Sequence, residues 1–305
     1  MSEMSRDGQP SDSVWTVGRV MAWCSSHFEK NKIDSPRLSS ELILSHVLSL
    51  PRIRVYAEHK REMTPEQLTR TRELVKRAIA HEPIQYLTGC APFFGMEFRV
   101  TPDVLIPRGD TETLVEQALQ FLRGRLGTEP PRVLDLCTGS GCVAAAIAKQ
   151  VKQAQVLAID ISAAAVLIAR ENLKTFKLDD RVSVEIGDLF EPVSRQVDPR
   201  PFDLIASNPP YIATPQLEHL DKNVRDYEPR LALDGGSDGH VLHRRIIAEA
   251  QAHLVPGGRL LMEIAFDQGE SAVALFDSTK WESIKLTNDL SRNPRVVGAS
   301  KAAAS

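Results

Sequence analysis

From residue 14 to about residue 82 the apolar positions recur at helical spacing. Val14, Val17, Val20, Met21 and Cys24 form one such series, and Leu38, Leu42, Leu44 and Leu48 form a second after Ser35-Pro36. A third opens at Thr64-Pro65-Glu66-Gln67. There Thr64 can cap, Pro65 suits the first helical position and Gln67 completes a capping box. Its apolar face is Leu68, Leu74, Val75, Ala78 and Ile79. The pattern predicts three or four helices packed as a bundle of their own, with no strand signal among them. Residues 1–13 are polar, with Gly8 and Pro10, and are predicted to be a disordered tail.

The pattern changes at residue 83. Pro83, Pro92, Pro102 and Pro107 break up helix, and Phe94-Gly95-Met96-Glu97-Phe98-Arg99-Val100 alternates at strand period. Residues 83–108 therefore read as a short hairpin linker. A helix follows from about residue 110, with Leu114, Val115, Ala118, Leu119 and Leu122 on one face. From residue 132 strands and helices alternate. Strands are predicted at 133–136, 155–160, 181–186, 202–207 and 258–265, the last after the Pro256-Gly257-Gly258 turn, and shorter ones at 284–287 and 295–297. Helices are predicted at 141–151, 162–175, 240–254 and 267–276. Strands joined by helical crossovers make an α/β domain with a doubly wound parallel sheet, over residues 109–305. Such sheets bind ligands at the carboxyl ends of their strands.

Composition narrows the function. The 305 residues carry a formal net charge of -3, which argues against a surface built for nucleic-acid backbone. The N-terminal bundle is mildly basic, and Arg70, Arg72, Lys76 and Arg77 share one helix. That is either a solvated face or a docking surface for a partner near RNA. No run approaches the ~18 apolar residues of a membrane span, and residues 1–7 lack the basic-then-apolar pattern of a signal peptide. The cytoplasm is the expected location. Cys24, Cys90, Cys137 and Cys142 are scattered, and the eight histidines form no ligand-spaced set, so no metal site is expected.

The candidate chemistry falls at successive strand ends. Asp135-Leu136-Cys137-Thr138-Gly139-Ser140-Gly141 is a strand, a glycine turn and a helix start, where backbone can approach a ligand closely and the helix N-terminus favours an anionic group. It lacks the third glycine of a dinucleotide fingerprint, since Ala144 stands there. Asp160 ends the next strand, placed to hold two ribose hydroxyls or to cap the next helix. Gly187-Asp188-Leu189 ends the third, where Asp188 can accept from an adenine amino group. At the fourth stands Asn208-Pro209-Pro210-Tyr211. Each proline is stiff and restricts the residue before it, and neither has an N–H. The corner therefore offers acceptors, the Asn208 carboxamide oxygen and the Pro209 carbonyl, to an incoming planar –NH2. Gripping both protons orients the nitrogen for attack. A nucleoside pocket beside an amide or amine pocket fits S-adenosylmethionine as cofactor.

This order of motifs resembles the class I S-adenosylmethionine-dependent methyltransferases that act on planar nitrogen. Leu105-Ile106-Pro107-Arg108, Thr111-Glu112, Tyr227-Glu228-Pro229 and Leu233-Asp234-Gly235-Gly236 are similar to stretches of the glutamine-N5 methyltransferases of peptide chain release factors. The likeness runs from about residue 14 to the end. It implies a Rossmann-like methyltransferase domain behind a helical substrate-docking domain at 14–82. It implies cofactor contacts from Asp135, Cys137, Thr138, Gly139, Ser140, Gly141, Asp160, Asp188, Leu189 and Asn208. The substrate glutamine would meet Asn208, Pro209, Pro210 and Tyr211, with Asn208 and Pro209 as the catalytic pair. The implied substrate is the glutamine of the Gly-Gly-Gln loop in class 1 release factors, a role in translation termination. Two departures stand out. Gly109 takes a position where the family usually has proline. The turn Cys137-Thr138-Gly139 is similar to the sister enzymes that methylate a large-subunit ribosomal protein, whereas Asp110-Thr111-Glu112 matches the release-factor branch. Adenine-N6 methylation of nucleic acid would use the same corner. No large target-recognition insertion and no strongly basic catalytic domain accompany it here. A scaffold that only binds nucleotide would not need Asn208 and both prolines.

Overall fold

The computed structural model describes residues 14–125, 127, 129–195 and 200–302, so the predicted tail at 1–13 lies outside the described residues. The chain divides into two compact units between Thr88 and Gly89.

The first unit is helical: α1 (Val17–Lys30), α2 (Pro36–Leu48), α3 (Arg52–Ala57), α4 (Pro65–Ile79) and α5 (Ile84–Thr88). Local chemistry starts the long helices. Thr16 caps α1 by accepting from the Arg19 N–H, and both halves of the Thr64–Gln67 capping box form at α4. Val17, Val20, Cys24 and Phe28 of α1 meet Ile43, Leu44 and Leu48 of α2 and Leu74, Val75 and Ala78 of α4 in one core. Each large side chain fully buried there contributes about 1.5–3 kcal/mol. The buried face of α2 differs from the expected one. Ser39, Ser40 and Glu41 are buried, while Leu38 is exposed. The small serines fit because their hydroxyls donate to the Asp34 and Pro36 carbonyls, which satisfies them without water. Glu41 is neutralised by Arg37 and Arg52 and accepts from the Tyr56 hydroxyl. One isolated antiparallel bridge, Thr16 to Glu62, adds a strand-like contact that the helical pattern did not announce.

The second unit opens with a hairpin, β1 (Cys90–Phe93) and β2 (Met96–Arg99). The expected strand over 94–100 is corrected. Phe94 and Gly95 are the two-residue turn, both at positive φ, so the alternating run begins inside the turn. The Phe94 N–H donates to Glu112 (2.8 Å), and the buried Asn172 side chain bonds both backbone groups of Arg99.

Seven strands form the main sheet in the order β5-β4-β3-β6-β7-β9-β8. They are β3 (Arg132–Leu136), β4 (Gln155–Asp160), β5 (Val182–Ile186), β6 (Phe202–Ser207), β7 (Leu254–Glu263), β8 (Trp281–Asn288) and β9 (Pro294–Lys301). β3 to β7 are parallel, whereas β9 runs antiparallel to both neighbours. Helices α6 (Glu112–Arg123), α7 (Cys142–Gln150), α8 (Ala163–Thr175), α9 (Glu191–Ser194), α10 (Lys222–Arg225), α11 (Val241–His253) and α12 (Gly269–Val273) complete the unit. Two apolar clusters cover the two faces. Val133 joins one, with α6, α7 and α8; Leu134 and Leu136 join the other, with α11 and α12. This alternation is the pleat of a strand buried on both sides.

Three boundaries moved. β7 begins at Leu254, ahead of the Pro256-Gly257-Gly258 turn, and the register against β6 shifts there to absorb it. The helix expected at 267–276 is only α12, because Gln268 folds back to accept the Ala265 N–H and makes a turn of the preceding residues. β8 and β9 are longer than expected because each pairs with the other along most of its length. The strand order reverses between β3 and β6, which opens a crevice at their carboxyl ends.

Candidate active site

A cleft of about 720 Å³ occupies that crevice. Asp135, Cys137, Thr138, Gly139, Ser140, Asp160, Asp188, Leu189, Asn208 and Pro210 line it together; Gly141, Pro209 and Tyr211 do not.

Its first half is built mostly from strand-end turns. Asp135, buried at the end of β3, accepts from the Thr138 hydroxyl (2.6 Å) and the Ala144 N–H (3.2 Å). It thereby closes the glycine turn onto the start of α7. Burial pushes its carboxyl up to about 7 against those two bonds, and the charge of Asp160 adds to the rise. Cys137 sits at φ 59°, a left-handed conformation that a glycine would adopt without strain. Asp160 accepts from the Gly139 N–H (2.8 Å) and the Ser162 N–H (2.9 Å), so it braces two turns at once. Burial raises its pKa while those bonds lower it. Asp188 is paired with Arg245 of α11 (2.9 Å).

Two observations test whether a nucleoside cofactor fits here. A Cβ added at Gly139 would meet no protein atom, although its φ of 56° disfavours one, so the turn presents bare backbone to open space. The Ser140 hydroxyl is buried without a hydrogen-bond partner, a polar group left for something to satisfy. Both agree with a polar ligand lying along the turn.

The second half is held by long-range bonds. Asn208 Nδ2 donates to Thr111 Oγ1 (3.2 Å), just ahead of α6. The Tyr211 hydroxyl turns away from the cleft and donates to Glu263 Oε1 (3.2 Å) at the end of β7. The Tyr211 carbonyl accepts from Gln268 (2.9 Å). Leu233-Asp234-Gly235-Gly236 runs beside the loop as a parallel bridge from Ile212 to Asp234. Gly235 is pressed against it: a Cβ there would lie 2.8 Å from the Pro210 oxygen and from two Tyr211 backbone atoms, which cannot give way.

Glu263 is fully buried, and burial pushes its carboxyl up to about 7. The Thr111 hydroxyl, the Arg295 guanidinium and the Tyr211 hydroxyl favour its charged form, while Asp110 opposes it. Its Oε2 is buried without a hydrogen-bond partner. Arg295 itself pairs with Asp110 (3.0 Å) and Asp289 (3.2 Å). At the mouth, buried Glu228 accepts from the Ile106 N–H (3.2 Å) and pairs with Arg108. This stitches together two of the motifs singled out in the sequence. Leu105, Pro107, Arg108, Pro229, Arg230 and Leu231 form that lip of the cleft.

Thr111 was singled out in the sequence without a role; Glu263, Gln268, Arg245 and Asn172 were missed. Glu263 left a signal, an acid in the apolar run Leu260-Leu261-Met262-Glu263-Ile264. The others are polar residues on helices or loops that look like solvent-facing positions until the fold brings their partners.

A model of the PrmC N-terminal domain matches residues 19–89, and one of the methyltransferase small domain matches residues 111–225. The chain is 41% identical to the release factor glutamine methyltransferase of Geobacter sulfurreducens over 93% of this chain and 96% of that one. It is 37% identical to the protein of the same name from Rhodopirellula baltica over 96% and 98%. The hMettl16 catalytic domain, solved with the MAT2A 3′UTR hairpin 6, superposes with a TM-score of 0.54 at 13% identity, over 79% of this chain and 83% of that one, a likeness of fold alone.

Proposed function

Because the chain belongs to the release factor glutamine methyltransferase family, we propose that it methylates the side-chain amide nitrogen of the glutamine in the Gly-Gly-Gln loop of class 1 peptide chain release factors, with S-adenosylmethionine as methyl donor. The observation that carries this reading is the 41% identity over 93% of this chain and 96% of the relative, which takes in both units. Acting on a translation factor, the enzyme would work in the cytoplasm. No helix among the described residues is long and apolar enough to cross a membrane.

When bound, S-adenosylmethionine supplies an electrophilic methyl on a positively charged sulfur. The turn 137–141, with Asp135 behind it, and Asp160, Asp188 and Leu189 would hold it. The carboxamide oxygen of Asn208, which lines the cleft, accepts one proton of the substrate –NH2, and the Pro209 carbonyl, set behind that lining, accepts the other once the amide is seated. They favour the lone pair for attack and stabilise the charge that develops on nitrogen. The extra proton leaves to solvent after transfer, so no strong base is needed beforehand. Tyr211 supports this loop from behind through Glu263. Glycines flanking the substrate glutamine let it enter a narrow strand-end pocket.

Reaction with purified release factor, followed by tandem mass spectrometry, should place one methyl on that glutamine. A Gln→Asn change in the loop should abolish it, since the shorter side chain does not reach Asn208. Methylation of a ribosomal protein or of adenine, with the release factor untouched, would overturn the assignment. The basic N-terminal unit is proposed to dock the body of the factor. A chain lacking residues 1–88 should then lose far more activity on whole factor than on a short Gly-Gly-Gln peptide, and equal losses would refute the docking role.

A further inference from the structure

We propose that Asn172, which does not itself line the cleft, is a positioning residue for cofactor binding: its carboxamide ties the hairpin to the glycine turn and so fixes the gap between two walls of the cleft. This rests on the functional reading above, since the S-adenosylmethionine named there would fill that gap. Asn172 is buried on α8 and commits its whole side chain to two distant stretches of backbone. Its Nδ2 donates to the Ser140 carbonyl (2.9 Å) and to the Arg99 carbonyl (3.0 Å). Its Oδ1 accepts from the Arg99 N–H (2.8 Å). A carboxamide has two protons to give and one oxygen to accept with, and here all are used.

The two anchors lead to the two walls. Ala169, three residues earlier and so on the same face of α8, backs Gly141: a Cβ there would lie 3.2 Å from the Ala169 Cβ. With Asn172 on the Ser140 carbonyl, α8 thus braces the turn from behind at two successive residues. The front of the turn is left for a ligand. A Cβ at Gly139 would meet nothing within 4 Å, and the buried Ser140 hydroxyl has no partner. The other anchor, Arg99, ends β2, and shortly after it Asp103, Val104 and Leu105 line the same cleft. Holding Ser140 and Arg99 on one side chain sets the wall made by the turn against the wall made by residues 103–105. Glu171 also pairs with the Arg99 side chain, but both are half exposed, so that pair adds little to the connection. Packing alone explains Asn172 poorly, because a buried amide costs stability unless its bonds are made, and an apolar side chain would fill the space without that demand.

The test measures the Kd of S-adenosylmethionine by titration calorimetry for the full chain and for Asn172→Asp and Glu171→Gln, with the melting temperature of each. Asn172→Asp keeps the shape but sets a carboxylate against two carbonyls. Its Kd should rise at least about tenfold, while kcat on release factor at saturating cofactor stays within about threefold. Glu171→Gln breaks only the surface pair and should leave Kd within about twofold; an equal rise there would assign the effect to that pair and overturn the role of Asn172. A merely structural Asn172 would lower the melting temperature and leave the Kd of the folded protein unchanged, and that result also overturns the proposal. If Asn172→Asp does not fold, hydrogen exchange in wild type decides. S-adenosylmethionine should slow exchange of the Arg99 N–H at least about threefold, because a held turn holds Asn172 in place; an unchanged rate would refute the tie. A wild type that binds S-adenosylmethionine without methylating release factor refutes the functional reading and leaves the tie standing. A wild type that binds none refutes both.

Discussion

The two halves of the cleft are held together in different ways. At the ends of β3 and β4 the aspartates satisfy themselves close by in the chain. Asp135 bonds Thr138 three residues on and Ala144 nine residues on, and Asp160 bonds Ser162 two residues on. The loop after β6 depends on distant partners. Asn208 bonds Thr111 across 97 positions, Tyr211 bonds Glu263 across 52, and Ile106 at the lip bonds Glu228 across 122. The first half is mainly strand-end turns, tied to one another by the Asp160–Gly139 bond and, at Asp188, by one distant partner, Arg245. The substrate half exists only once the whole sheet has closed. On the proposed function, the pocket for the cofactor and the pocket for the glutamine side chain are made by different means in one crevice.

The contrast is tested most severely at Asn208. Asn208→Ala should leave cofactor affinity nearly intact and lower kcat by about a hundredfold or more, because its grip on the nitrogen counts mainly in the transition state. Calorimetry and turnover on the same preparation would measure both. A loss of less than about tenfold, about 1.4 kcal/mol, would deny Asn208 its role.

The reverse result is expected on the other side. Asp160→Ala removes the proposed acceptor for the ribose and two braces on the turns, and bonds to a charged group contribute about 1.5–3 kcal/mol each. Cofactor Kd should rise at least about tenfold while kcat at saturating cofactor changes little. An unchanged Kd would make Asp160 a brace for the turns and nothing more.

The smallest effect concerns stability. Burial holds Glu263 at about 7 in the folded protein, against about 4.3 for an unfolded glutamate. Between those values the folded state binds more protons than the unfolded one, so this group's contribution falls as pH rises. Glu263→Gln removes the titration. Urea unfolding at about pH 5 and about pH 8 should show wild type losing stability relative to the variant on going to the higher pH. Parallel pH dependence in the two proteins would mean that Glu263 titrates normally.

What could be read from residues alone follows the same division. The helix start at Thr64, the parallel strands of the sheet and the four strand-end motifs were legible, because capping, period and turn chemistry act over a few residues. The face of α2 was not. Ser39 and Ser40 are polar by type, and only the carbonyls they reach make them interior residues. The antiparallel β9 was not legible either, since direction in a sheet is decided by which edge is left to pair.

At the site, the sequence by itself determined that acceptors at Asn208 and Pro209 would stand at the end of a buried strand, near a glycine turn and three aspartates. Proline stereochemistry fixes the acceptor corner itself, and the alternation of strands and helices puts the motifs at one edge of a parallel sheet. Only the tertiary structure decided that Tyr211 faces inward to Glu263, that Arg245 pairs with Asp188, and that the Asn208 amide nitrogen is taken by Thr111. Each of these is a hydrogen bond between residues more than fifty positions apart. Such a bond has no local period or propensity to announce it, because it forms only when two strand ends meet in a closed, water-poor core.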